Sequence, residues 1–133
     1  MAGLLVSHLN IKPGQCIGIK GIVPQDCKSF VINIGKDCSN LMLHLNARFD
    51  HEGDVNTIVC NSTVAEVWGE EQRETTFPFH QGDGAEICFS FDKSEVTVKL
   101  PGGHEFKFPN RQSLDEVNYI AVNGFHAKGL NFD

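Results

Sequence analysis

Apolar residues recur at every second position along most of the chain, and stretches with apolar residues three and four apart are lacking. A period of two predicts strands, whose successive side chains face opposite sides of a sheet. The pattern predicts about eleven of them: Leu4–Leu9, Cys16–Ile22, Ser29–Ile34, Leu41–Phe49, Thr57–Asn61, Glu71–Thr76, Glu86–Phe91, Glu95–Leu100, Glu105–Phe108, Tyr119–Asn123 and Phe125–Phe132. Turn-forming clusters separate them at Pro13-Gly14, Pro24-Gln25-Asp26, Gly35-Lys36-Asp37, Gly82-Asp83-Gly84, Pro101-Gly102-Gly103 and Pro109-Asn110. Ser113–Val117 is the one segment predicted to make a helical turn. Many short strands with frequent turns predict an all-β fold, an antiparallel two-sheet β-sandwich of the jelly-roll kind. With no repeat, linker or low-complexity tract, residues 1–133 are predicted to form a single domain.

Some polar residues fall where the pattern does not require them. In Leu41–Phe49, alternation places Leu43, Leu45, Ala47 and Phe49 on one face and His44, Asn46 and Arg48 on the other. Those three stand about 6.6 Å apart, because each strand residue rises roughly 3.3 Å. An imidazole, an amide and a guanidinium fork offer donors and acceptors together, which suits a neutral polyhydroxyl ligand. The alternative for this strand alone is an ordinary solvated face. Asn61 can join the same face, since Val59 and Asn61 alternate with Ile58 and Cys60. Trp68 has Glu66, Gly69, Glu70 and Glu71 as neighbours, so it is expected to be exposed, although a core role is open. Glu71 and Arg73 share a strand face and are placed to form an ion pair.

Composition removes several function classes. The net charge is −6 and no Lys/Arg cluster is present, which argues against nucleic acid. No stretch approaches the apolar length of a membrane span, so no membrane insertion is expected. Cys16, Cys27, Cys38, Cys60 and Cys88 form an odd set without a C-x-x-C pair and read as free thiols in a reducing compartment. The N-terminal residues lack the basic leader and apolar run of a signal peptide, so synthesis is expected in the cytosol.

The combination His44-x-Asn46-x-Arg48, Val59-x-Asn61 and Trp68-x-x-Glu71-x-Arg73 resembles the carbohydrate-recognition signature of the galectins. Gly35-Lys36-Asp37, Phe77-Pro78-Phe79 and the stretch from Lys99 to Arg111 match as well, so the resemblance spans nearly the whole chain. It is nearest to the prototype single-domain homodimeric type. The resemblance implies a β-galactoside-binding jelly-roll lectin that needs no metal or other cofactor. It also implies export from the cytosol to the extracellular space and cell surface without a signal peptide, and a homodimer joined through the N- and C-terminal strands. By the same resemblance His44, Asn46 and Arg48 bind the axial 4-hydroxyl of galactose, and Asn61 and Glu71 its 6-hydroxyl. Arg48 and Glu71 reach the adjoining glucose or N-acetylglucosamine, Trp68 stacks under the galactose ring, and Arg73 supports Glu71.

The chain departs from the galectin pattern in three places. Leu45 and Ala47 replace the usual Phe and Pro, Glu52 stands where type-one members place a His, and Gly129 interrupts the C-terminal strand. His51, Glu52 and Asp54 are therefore the peripheral site candidates, bordering the second sugar. Three rival readings are weighed against the lectin. A glycosidase could draw two carboxylates from Glu52, Asp54, Glu71 and Glu74, but Glu71 beside Arg73 is a poor proton donor. A calcium loop at Asp50, Glu52, Asp54 and Asn56 has its Gly and final acid out of place, and a zinc site at His44, His51 and Glu52 lacks ligand spacing. A protein interaction module with weak or altered sugar specificity is the third. The sequon Asn61-Ser62-Thr63 is read as accidental, since a glycan there would block the proposed site.

Overall fold

The computed structural model describes residues 3–133. Their strands in chain order are β1 Gly3–Val6, β2 Ile17–Ile22, β3 Ser29–Asp37, β4 Asn40–His51, β5 Asp54–Asn61, β6 Thr63–Val64, β7 Val67–Trp68, β8 Gln72–Glu74, β9 Gly84–Phe91, β10 Glu95–Lys99, β11 Glu105–Pro109, β12 Tyr119–Asn123 and β13 His126–Phe132. Six strands pair in the order β1-β12-β3-β4-β5-β8, five in the order β11-β10-β9-β2-β13, and β6 and β7 make a small hairpin. Every pairing is antiparallel.

The alternation read from the sequence decides which side chains lie between the sheets. Phe30, Ile32 and Ile34 of β3, Leu43, Leu45 and Ala47 of β4, and Ile58 and Cys60 of β5 are buried on the inner face of the larger sheet. Ile17, Ile19, Ile87, Phe89, Val96, Val98 and Phe108 oppose them from the smaller sheet, in one continuous cluster. Each such aliphatic or aromatic side chain contributes about 1.5–3 kcal/mol on burial. Phe77 and Phe79 lie outside any strand and extend this core, with Phe79 edge-on to Phe30 at 5.1 Å and Phe77 edge-on to Phe49 at 4.9 Å. The antiparallel sandwich is the expected all-β architecture.

The local differences have identifiable causes. The expected first strand ends at Val6, before His8 adopts a positive φ of 60°. Gly35-Lys36-Asp37, read as a turn, is the irregular end of β3, and the turn falls at Cys38-Ser39. There Asp37 Oδ1 accepts hydrogen bonds from the Ser39 and Asn40 backbone N–H groups. Ser113–Val117 forms no helical turn: Asn110 Oδ1 accepts from Leu114 N–H, and Val117 pairs with Ile11 as an isolated bridge. The helical turn among the described residues is a 3-10 turn at Pro101–Gly103, favoured by Pro at its start and by Gly102 at a φ of 80°. Strands β6 and β7 escape the pattern because two residues carry no readable period.

Candidate functional site

Because Leu43, Leu45 and Ala47 point inward, His44, Asn46 and Arg48 of β4 face outward from the larger sheet. They do not stand free. The Asn46 Nδ2 group donates to the Phe30 carbonyl at 3.0 Å, which leaves the residue only 5% exposed. Arg48 Nε donates to Asn46 Oδ1 at 2.8 Å, and Arg48 Nη1 donates to Asp54 Oδ2 at 2.6 Å. Asp54 also accepts from Arg73 Nη2 at 3.2 Å, and Arg73 Nη1 donates to Glu71 Oε1 at 2.6 Å. The order Asn46, Arg48, Asp54, Arg73, Glu71 is thus a continuous chain of hydrogen bonds across β4, β5 and β8. Arg73 first and Arg48 second hold the Asp54 carboxyl below the usual carboxylate range.

His44 sits directly opposite Asn33 of β3, with its Nδ1 2.7 Å from Asn33 Oδ1. Burial, aided by the Arg48 cation, lowers its pKa from 6.5 to about 4, so the imidazole is neutral at physiological pH. Its ring meets the edge of Trp68 at 4.8 Å between centroids. Trp68 is 54% exposed, although it belongs to a strand.

The hairpin that delivers Trp68 is unusual. Its turn residues Ala65 and Glu66 both have positive φ, 50° and 69°, without a glycine. Two-residue hairpins of this kind need left-handed backbone at both turn positions, which costs a non-glycine residue about 1–2 kcal/mol. The β3–β4 turn offsets that cost: Asn40 Oδ1 accepts from the Ala65 N–H at 2.9 Å and the Ser39 carbonyl from the Glu66 N–H at 2.8 Å. On the other side of the indole, Asn61 Nδ2 donates to the Gly69 carbonyl at 3.0 Å. Arg111 Nη1 donates to Asn61 Oδ1 and Ser62 Oγ, and its Nη2 donates to the Glu70 carbonyl at 2.6 Å. The Arg111 guanidinium also lies 4.7 Å above the Phe108 ring.

The result is a cleft of about 490 Å³ lined by His44, Asn46, Arg48, Val59, Asn61, Trp68, Gly69 and Glu71. Six of the seven principal residues expected from the sequence line it, and Arg73 joins through Glu71 and Asp54. Of the peripheral three, Asp54 is the shared acceptor of both arginines. His51, the last residue of β4, and Glu52, in the β4–β5 turn, lie 3.9 Å from each other and do not line the cleft. Glu71 precedes β8 rather than lying within it. Asn33, Ser62, Gly69 and Arg111 were not legible as site residues. Arg111 sits 49 positions from Ser62 in sequence, and only the tertiary fold brings it there. A larger groove of about 660 Å³ on the smaller sheet is lined by Lys20, Lys99, Lys128, Glu86 and mainly apolar residues. It lacks the linked donors and acceptors that converge on the β4 cleft.

The sequence pattern of the Galactoside-binding lectin family matches residues 4–131. The chain belongs to that family. This lectin is 53% identical over 132 residues to Galectin-1 of Bos taurus, covering 98% of each chain. The solved structure of CG-16, a homodimeric agglutinin from chicken liver, aligns with a TM-score of 0.95 at 52% identity, over 98% of this chain and 99% of that one. A toad ovary galectin solved in complex with thio-digalactose aligns with a TM-score of 0.97 at 46% identity, over 100% of this chain and 99% of the other. Of the three departures from the galectin pattern, the first is structurally mild in this lectin, because Leu45 and Ala47 both point into the core. Glu52 lies outside the cleft lining, and Gly129 marks a β-bulge where the pairing of β13 with β2 shifts register.

Proposed function

We propose that this single recognition domain is a metal-independent lectin for β-galactosides of the lactose and N-acetyllactosamine kind, acting as a homodimer that cross-links glycoproteins. The observation that carries the reading is the β4 cleft: a row of mutually oriented polar groups beside a half-exposed indole. Trp68 offers an apolar wall for the C–H face of galactose, and His44, Asn46 and Arg48 address its axial 4-hydroxyl. Asn61 and Glu71 address the 6-hydroxyl. Arg48 and Glu71 reach the second sugar, with Asp54 and Arg73 holding both in place. A site built around that hydroxyl leaves buried groups unpaired when the epimer lacks it, so glucose and mannose are rejected.

The protein is a lectin and not an enzyme. Asp54 is held ionised by two arginines, so it is not set up to donate a proton to a leaving group, and the Glu71 carboxylate is engaged by Arg73 at 2.6 Å. A disaccharide of about 20 heavy atoms at roughly −0.3 kcal/mol each binds with about −6 kcal/mol, between millimolar and micromolar. Cross-linking therefore needs two sites. The edge strands β1 and β13 adjoin each other, since Leu4 and residues 127–130 line one shared groove. On these two edge strands Leu5 is 64% and Phe132 38% exposed, and an isologous dimer would cover them. No helix among the described residues is long and apolar enough to cross a membrane. Synthesis in the cytosol and export without a signal peptide complete the proposal.

Retention on immobilised lactose in reducing buffer with EDTA, released by lactose and not by mannose, is the test. Failure of well-folded protein to bind would overturn the reading and leave a protein interaction module.

A further inference from the structure

We propose that Asn33 is a positioning residue that fixes the tautomer of His44, so that the nitrogen facing the cleft accepts a hydrogen bond and the ligand hydroxyl there must donate one. The argument begins with β-sheet register. Asn33 and His44 are directly opposed on β3 and β4, where outward side chains of neighbouring strands meet. Asn33 Oδ1 lies 2.7 Å from His44 Nδ1. An amide oxygen only accepts, so in a neutral imidazole the proton is on Nδ1 and Nε2 carries the lone pair.

The rest of the cleft needs that arrangement. Arg48 can only donate. Its Nη2 has no protein partner among the described residues, since Nε and Nη1 are engaged by Asn46 and Asp54. Asn46 spends one amide hydrogen on the Phe30 carbonyl, and its Oδ1 already accepts from Arg48. A hydroxyl placed beside these groups meets donors from Arg48 and Asn46, and His44 Nε2 supplies the complementary acceptor. With the proton on Nε2 instead, the hydroxyl would face donors on both sides and lose one hydrogen bond. The neutrality of His44 at physiological pH is consistent with this role.

The assignment depends on the galactoside reading only for its binding arm; the tautomer itself is read on the free protein. Long-range 1H–15N correlation spectra distinguish the protonated ring nitrogen from the unprotonated one. In the unmodified protein at pH 8, His44 shows a protonated Nδ1. Asn33→Val shifts it toward protonated Nε2 and weakens lactose binding about tenfold, the scale of one lost hydrogen bond to a partly buried group. Asn33→Asp, which keeps an acceptor at the same place, restores both the Nδ1–H spectrum and lactose affinity at pH 8. Lactose fluorinated at the galactose 4-position, which cannot donate, loses more affinity than lactose in the unmodified protein and shows a smaller difference in Asn33→Val. A protonated Nε2 in the unmodified protein, as a reversed Asn33 amide would produce, overturns the assignment. So does an Asn33→Val variant with unchanged tautomer and affinity. If the unmodified protein fails to bind lactose while showing the Nδ1–H spectrum, the proposed function falls and the tautomer assignment stands.

Discussion

Acidification should destabilise this protein through His44 before it disturbs ligand recognition. In the unfolded chain the imidazole takes up its proton near pH 6.5, whereas in the folded protein it resists until about pH 4. Between those values the unfolded state binds more protons, so stability falls as pH falls, by about 1.4 kcal/mol per unit at most. Integrated over the full window of about 2.5 units the loss approaches 3 kcal/mol, and between pH 7 and pH 5 it is about 2 kcal/mol. That is a large fraction of the roughly 5–15 kcal/mol that holds a domain of this size. Other groups titrate in the same range, so the decisive comparison is with His44→Gln, which removes the ring without adding a charge. Urea unfolding of both proteins at pH 7, 6 and 5 should show the unmodified protein losing about 2 kcal/mol more than the variant between the extremes. Parallel stability profiles for the two proteins would refute the reasoning, because they would mean that His44 is as easily protonated in the fold as outside it. Lactose affinity of the unmodified protein should meanwhile stay nearly flat from pH 7 to about pH 5, as the folded imidazole is still neutral there.

Four further outcomes are expected. Trp68→Leu should weaken lactose binding by about 1–2 kcal/mol in calorimetry while leaving urea stability almost unchanged, because the indole is half-exposed and packs mainly on His44. Arg111→Lys should reduce lactose affinity several-fold although Arg111 does not line the cleft, since one ammonium cannot span Asn61, Ser62 and the Glu70 carbonyl together. An unchanged titration would show that the Trp68–Glu70 segment holds itself. Gly69→Ala should behave like the arginine variant, since its added methyl would lie 2.7 Å from Arg111 Nη1 and 3.4 Å from Asn61 Oδ1. Leu5→Glu, on the exposed edge strand β1, should convert dimers to monomers in sedimentation and abolish cell agglutination without altering single-site lactose affinity.

The legible parts of this protein are those where one local period has one physical meaning. Alternation in β4 placed Leu43, Leu45 and Ala47 inside and His44, Asn46 and Arg48 outside, and the same parity carried Ile58 and Cys60 inward on β5. The uncharacteristic neighbours of Trp68 already indicated exposure. What local pattern could not carry was distance. Arg111 and Asn33 reach the cleft region through strand pairing and a crossing loop, and nothing at either position distinguishes it from an ordinary polar residue. The turn at Ala65-Glu66 was hidden for a different reason. Its positive φ angles are normally announced by Gly or Asn, but here the neighbouring Ser39 and Asn40 stabilise them from outside the hairpin. The peripheral candidates divide on geometry. Asp54 faces both arginines across the strand, whereas Glu52 occupies the left-handed position of the turn at a φ of 54° and does not line the cleft.

On the proposed galactoside reading, selectivity and affinity reside in different parts of the cleft, which makes a site that discriminates sharply while binding weakly the expected outcome. The polar groups are mostly satisfied by one another before any ligand arrives, and no buried side-chain nitrogen or oxygen among the described residues lacks a partner. A ligand therefore meets groups already oriented and engages the few remaining valences of His44, Asn46, Arg48, Asn61 and Glu71 in place of solvent. Net gain per hydrogen bond is small under those conditions, about 0.5–1.5 kcal/mol. An epimer that sends its hydroxyl elsewhere loses more than that gain, because it still displaces the water and leaves a half-buried imidazole or guanidinium unpaired, at about 1–3 kcal/mol each. Trp68 adds contact area with little hydroxyl-by-hydroxyl discrimination of its own. On that reading the β4 row decides which sugar binds, the indole decides how firmly one site holds it, and pairing of two cleft-bearing subunits through β1 and β13 would supply the remaining strength by raising local concentration.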